Sequence, residues 1–120
     1  MSEVAKLEHA FIQASRRGNL DKLQEYIDKG VSINAQDPVY GQTALHTAAA
    51  GRARQALRVL LKTNQCDFLL RDNQGRLASE LAFLVGEDMA MARLLRIKER
   101  KQADEQGIVL TRRPRPTPNA

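Results

Sequence analysis

Apolar positions recur along the chain in short, evenly spaced groups. Val4, Leu7, Ala10, Phe11 and Ala14 follow the spacing of one helix face and predict a helix over residues 3–16. Gly18 breaks it. Asn19 is a good N-cap for a second helix, Asp21 suits its first turn, and Leu20, Leu23, Tyr26 and Ile27 form its stripe. Lys29-Gly30 ends that helix. Residues 31–35 read as a short extended piece, and Asp37-Pro38-Val39-Tyr40-Gly41 as a turn. A third helix starts near Thr43 and runs to about Gly51. A fourth covers Arg54 to Lys62, with Leu57, Leu60 and Leu61 buried. Residues 64–72 are irregular, and Asn73-Gln74-Gly75 makes a second turn. A fifth helix spans about Ala78–Val85 and stops at Gly86. A sixth starts near Glu87, with Met89, Met91, Leu94 and Leu95 as apolar contacts, and continues through Gln102 until Gly107 at the latest.

The pattern repeats. Moving 34 residues on from Gly41 reaches Gly75, and Gly75-Arg76-Leu77-Ala78-Ser79-Glu80-Leu81-Ala82-Phe83 has the shape of Gly41-Gln42-Thr43-Ala44-Leu45-His46-Thr47-Ala48-Ala49. Moving 34 back from Leu45, Ala48 and Ala49 reaches Phe11, Ala14 and Ser15. A period in the low thirties with two helices per unit marks a repeat array. The small residues Ala48 and Ala49 predict a seam where helices lie close.

These residues carry a family resemblance. Gly41 to Ala49 resembles the ankyrin signature of Gly, any residue, Thr, Pro, Leu, His, any residue, Ala, Ala. Gly18-Asn19-Leu20-Asp21, Leu23, Tyr26, Ile27, Gly30 and Asn34-Ala35 resemble the second half of an ankyrin repeat, and Asp72-Asn73-Gln74-Gly75-Arg76 its finger. The likeness covers roughly residues 5–97. The chain departs from the pattern at Ala44 and Ala78, where the family has proline, and at Glu80, opposite His46. Arg52 stands where Gly18 and Gly86 align. Each connection between repeats carries one extra residue, near Pro38 and near Asn64.

The resemblance implies an all-α ankyrin-repeat solenoid of three helix-turn-helix repeats with short finger turns. The repeats are placed at about 5–36, 37–70 and 71–97. A charged helical extension follows over 98–107, then a disordered basic Pro-rich tail over 108–120. It also implies a protein partner bound on the concave face of finger tips and inner helices. Carried over by position, the contact residues are Val39, Tyr40 and Gln42 on the first finger, and Asn73, Gln74 and Arg76 on the second. Arg16, Arg17, Ala50 and Leu84 add the ends of the inner helices. Tyr40 and Arg76, on successive fingers, are the expected anchors.

Composition narrows the chemistry. The chain of 120 residues has no Trp, two Tyr and three Phe, so its core must come from Leu, Ala, Ile and Val. One cysteine, Cys66, excludes an internal disulfide framework and fits a reducing compartment. Met1 to Lys6 lacks the apolar run of a signal peptide, and no apolar stretch approaches the ~18 residues of a membrane span. A cytoplasmic protein is expected, monomeric alone or a subunit of a hetero-complex. His46 reads as structural, bonding the turn together with Thr43. His9 reads as a surface or cap residue and Cys66 as a packing residue. No phosphate-binding loop or Cys/His metal spacing is present, so no cofactor and no enzymatic activity are expected.

The net charge of +5 is uneven. Residues 1–97 hold thirteen basic and eleven acidic side chains, and residues 98–120 hold six and three. Arg16-Arg17, Arg52, Arg54 and Arg76 form a possible basic strip for an acidic protein, or ordinary solvated charge balanced by Asp21, Glu25 and Asp28. Nucleic acid is not the expected partner, because the tail's Arg112-Arg113-Pro114-Arg115 has no aromatic stacking residues beside it. Two alternatives stand beside the protein-binding reading. One is a regulatory accessory of nucleic-acid complexes using the arginine strip and tail. The other is an effector or inhibitor that blocks an enzyme.

Overall fold

The computed structural model of the chain describes residues 2–110. These hold six helices and no strand: α1 (Glu3–Arg17), α2 (Leu20–Asp28), α3 (Ala44–Ala50), α4 (Arg54–Lys62), α5 (Ala78–Leu84) and α6 (Met89–Glu105). They form three antiparallel pairs. The inner helices α1, α3 and α5 stack side by side, and the outer helices α2, α4 and α6 pack behind them. The observed architecture is therefore a stacked helical-repeat array, with each pair sharing its apolar surface with its neighbours.

The helix ends follow from local chemistry. Ser2, Asn19 and Asp88 cap α1, α2 and α6 by accepting from Ala5, Lys22 and Met91 backbone N–H groups. The sixth helix thus starts two residues later than its apolar spacing suggests. Asp88 is its cap, and Glu87 sits at a positive φ of 51° just before it. The apolar contacts of α6 also differ from expectation. Met91 and Leu95 are buried, whereas Met89 and Leu94 face outward. Leu61 of α4 is only half-buried.

The seam is built as the sequence predicts. Ala48 and Ala49 are fully buried, as are Ala44 and Ala82. Backbones run so close here that a Cβ on Gly51 would collide with the Arg16 carbonyl oxygen, and one on Gly86 with that of Ala49. Gly86 is therefore the spatial counterpart of Gly51. The left-handed position after the inner helix is filled by Gly18, Arg52 and Glu87. This corrects the alignment of Gly86 with Arg52. The cause is one additional residue at the end of α5, where Gly86 N–H reaches back five residues to the Leu81 carbonyl.

Charge alone separates residues 98–107 from the repeats, but packing does not. Helix α6 crosses residue 97 without a break and buries Glu99 and Ala103. Gln102 accepts from Phe68 N–H at 2.7 Å and donates to the Cys66 carbonyl at 3.4 Å. From the other side, Asn34 donates to the Gln65 carbonyl and accepts from Asp67 N–H at 2.8 Å. The irregular connector is thus gripped by two side-chain amides. After α6, Ile108 N–H donates to the Ala103 carbonyl, closing the helix at Gly107. The basic tail expected over 108–120 lies outside the described residues from 111 on.

Candidate partner-binding surface

Each finger is organised by one aspartate. In the first, Asp37 accepts from the backbone N–H groups of Val39, Tyr40 and Gln42, at 2.9, 2.6 and 3.0 Å. Its own N–H donates to the Gln42 carbonyl. In the second, Asp72 accepts from Gln74 and Arg76 N–H groups and from the Arg76 guanidinium at 2.9 Å. Burial alone would raise the Asp72 carboxyl. The bonds from Arg76 and Gln74 together outweigh it and hold the group below its ordinary range. The first ring is one residue longer: Gly41 N–H closes onto Asp37 four residues back, Gly75 onto Asp72 three back. The extra residue thrusts the tip outward. Val39 is 68% exposed and Tyr40 65%.

The fingers are tied to each other. Asn73 donates from its backbone to the Tyr40 carbonyl and from its side chain to the Val39 carbonyl, both at 2.9 Å. Gly41 takes φ +67°, and a Cβ there would collide with the Asn73 side chain. Gln36 adds bonds to the Gly41 and Arg71 carbonyls. The tip is therefore a rigid shelf, although it is made of loop.

The structure sorts the expected contact residues into three groups. Val39, Tyr40, Asn73 and Gln74 come together as exposed tips. Gln42 and Arg76 lie half-buried beneath them, with Arg76 ion-paired to Asp72. Arg76 thus positions the second finger instead of projecting from it. Arg16, Arg17, Ala50 and Leu84 end the inner helices. In α3 the finger joins at Thr43, so Ala50 lies a seven-residue helix away, roughly 10 Å at 1.5 Å per residue.

The arginine strip is also divided. Arg54 grips the buried Asp88 through two bonds of 2.6 and 2.9 Å, and Arg52 reaches the same carboxylate at 4.0 Å. Chiefly through Arg54, the Asp88 carboxyl is held at about 2. The partner of these arginines is therefore Asp88, not Asp21, Glu25 or Asp28. Glu25 pairs with Lys22 and Lys29, and Asp28 accepts from Gln24. Arg16 and Arg17 remain exposed.

His46 is structural, as its position implies. Its Nδ1 accepts from Thr43 N–H and its Nε2–H donates to the Arg76 carbonyl at 2.9 Å. This fixes the neutral tautomer. Burial, the larger influence, lowers its pKa. Cys66 packs in the core with its thiol on the Leu60 carbonyl. Burial pushes that thiol up to about 11, far from the range of a nucleophile.

One capping side chain and one inserted residue escaped the sequence reading. Glu99 caps α5 from α6, accepting from Ser79 N–H at 3.1 Å and Ser79 Oγ–H at 2.7 Å. The extra residue at the end of α5 was the other omission. A buried glutamate on an otherwise charged helix gives no local signal. The missing cap did give one, since Leu77 stands where Thr43 caps α3.

A family model described as ankyrin repeats, in three copies, matches residues 11–105. Among curated proteins the chain finds no match.

Proposed function

The chain belongs to the ankyrin-repeat family, and from that premise we propose that it is a non-enzymatic module that captures a protein partner on its finger shelf. Ankyrin repeats are generally protein-protein interaction modules and generally non-enzymatic. The observation that carries the finer reading is the lengthened first finger. It holds Val39 and Tyr40 in solvent on backbone bonds that need neither side chain. An aromatic residue on a preformed shelf loses little entropy on binding, and tyrosine is enriched at interface hot spots. Asn73 and Gln74 extend the shelf by one finger. Arg76 contributes by holding the Asp72 ring. We place the module in the cytoplasm, as a monomer or as a subunit of a hetero-complex. A thiol buried in the core suits a reducing compartment. The arginine-strip alternative loses support, because Arg54 and Arg76 are engaged within the fold.

The test is direct. A protein captured from native lysate is measured by calorimetry against the parent chain and the double variant Val39→Ser, Tyr40→Ala. Affinity should fall at least about tenfold, equivalent to about 1.4 kcal/mol, with the melting temperature unchanged. Equal affinity would move the site off the fingers. Arg76→Ala should weaken binding together with folding of the second finger, seen as loss of amide protection at Gln74.

A further inference from the structure

The end of the stack carries a second surface, independent of the fingers. By the 34-residue offset, Phe83 and Leu84 of α5 stand where α3 has Ala49 and Ala50. Ala49 is fully covered, whereas Phe83 and Leu84 are more than half exposed. With Met89 and Ala92 of α6 they floor an apolar groove of about 420 Å³. Arg93 and Arg96 line it one helical turn apart. Neither arginine makes an ion pair or hydrogen bond among the described residues. The Glu80 carboxylate on α5 is drawn back to its own helix start, accepting from Leu77 N–H.

Three occupants compete, and geometry with charge separates them. A further repeat of the same kind does not fit. At the inner seam the following repeat's Gly86 backbone runs against the position-49 carbonyl. At the end of the stack the small Ala49 is replaced by the bulky, exposed Phe83, which does not leave room for that close approach. A second copy of the chain would bring a net +5 molecule, with its own Arg93 and Arg96, against the same two arginines. The chain's residues 111–120 carry Arg112, Arg113 and Arg115 with no acidic residue, so they too have the wrong sign. What complements an apolar floor with two exposed arginines on its wall is an amphipathic helix bearing carboxylates beside its apolar stripe.

We propose that this groove docks an acidic amphipathic helix from a partner protein. Its apolar side chains seat over Leu84 and Met89, and its carboxylates meet Arg93 and Arg96. The stripe supplies affinity by covering a patch that is otherwise open to water. The arginines choose the sign of the ligand.

Two synthetic helical peptides with one leucine stripe, flanked by Glu in one and by Lys in the other, are titrated into the full chain. Amide NMR reads the result. The Glu peptide should shift amides between residues 79 and 97, leave residues 37–42 unmoved, and bind at least about tenfold tighter than the Lys peptide. Arg93→Glu with Arg96→Glu should invert that preference, and Leu84→Ser should weaken both peptides. These are exposed positions, so melting curves should match the parent. Binding of neither peptide, or equal binding of both, would overturn the proposal. Two other results would do the same by naming another occupant. One is a concentration-dependent dimer abolished by Leu84→Ser. The other is movement of the groove amides when the chain is cut after Gly107.

Discussion

Helices α3 and α5 have the same length and bury alanines at matching positions, Ala44 with Ala78 and Ala48 with Ala82, yet the acceptors for their first turns come from different places. In α3 the cap itself is local, although the far side of the His46 ring also reaches the Arg76 carbonyl. Thr43 Oγ1 accepts from His46 N–H, and His46 Nδ1 accepts from Thr43 N–H. In α5 the capping residue is Leu77, which has no side-chain acceptor. Glu80 accepts locally from the Leu77 N–H, but the acceptor for the Ser79 N–H and hydroxyl is Glu99, twenty residues on from Ser79. A local cap forms with its own helix. A remote one exists only once α6 already lies against α5. The terminal repeat is therefore bound in as a helix pair, whereas the middle repeat caps its inner helix with its own Thr43 and His46.

The seam should give the largest effects and should not distinguish the two helices. Ala48→Leu and Ala82→Leu, at equivalent buried positions, should each cost about 1–3 kcal/mol by overpacking. An unchanged melting temperature for either would show that its seam is loose and the comparison unequal. The caps should then separate them. Thr43→Ala should cost about 1 kcal/mol. Glu99→Ala should cost about 1–3 kcal/mol, because it strands the Ser79 N–H and hydroxyl in the core. Hydrogen exchange is the discriminating measurement: the second change should lower protection along α5 and α6 together, the first along α3.

The two caps also respond to pH with opposite sign. The folded pKa of His46 lies below the ordinary 6.5, so the unfolded chain takes up the proton more readily, and this contribution is lost as pH falls below that value. Burial, the larger influence, places the Glu99 carboxyl above the ordinary 4.5 despite the bonds from Ser79. The folded chain then holds that proton more tightly, so stability falls as pH rises from 4.5 through the folded value. Urea melts across pH 4–7 should lose the first slope in His46→Gln and the second in Glu99→Gln. Slopes unaffected by either change would assign the pH dependence elsewhere. Arg54→Ala should also destabilise, because it strips the main partner from the buried Asp88 carboxylate and lets that carboxyl rise toward its ordinary range. The arginine side of the pair is exposed, so part of this stabilisation should shrink with added salt.

Local chemistry was legible in the sequence and long-range chemistry was not. Asn19, Thr43 and Gly41 announced their roles because cap and turn residues act within a few positions of themselves. The period announced the stack, and Ala48 and Ala49 the seam. Glu99 did not stand out, since a helix rich in Lys, Arg and Glu hides one buried carboxylate among many solvated ones. The extra residue just after α5 escaped because Gly86 fits a 34-residue count as readily as a 35-residue one, and only the collision at the Ala49 carbonyl decides between them. At the fingers, Val39 and Tyr40 were readable as turn residues without a core role. The engagement of Arg76 was not, because ion pairing with Asp72 depends on how the ring closes.

The two amides that grip the connector have a kinetic consequence. Stacked repeats ordinarily let an end unit peel away while its neighbours stay folded, giving several unfolding phases. Here Asn34 of the first pair and Gln102 of the last hold backbone groups within Gln65–Phe68. Opening the last pair frees the Phe68 N–H that Gln102 holds and loosens the stretch on which Asn34 closes. Detachment of either end thus releases the grip on the middle. Rapid mixing into denaturant should give a single exponential decay, and Gln102→Ala should split it into a fast phase for α5 and α6 followed by a slower one for the remaining pairs.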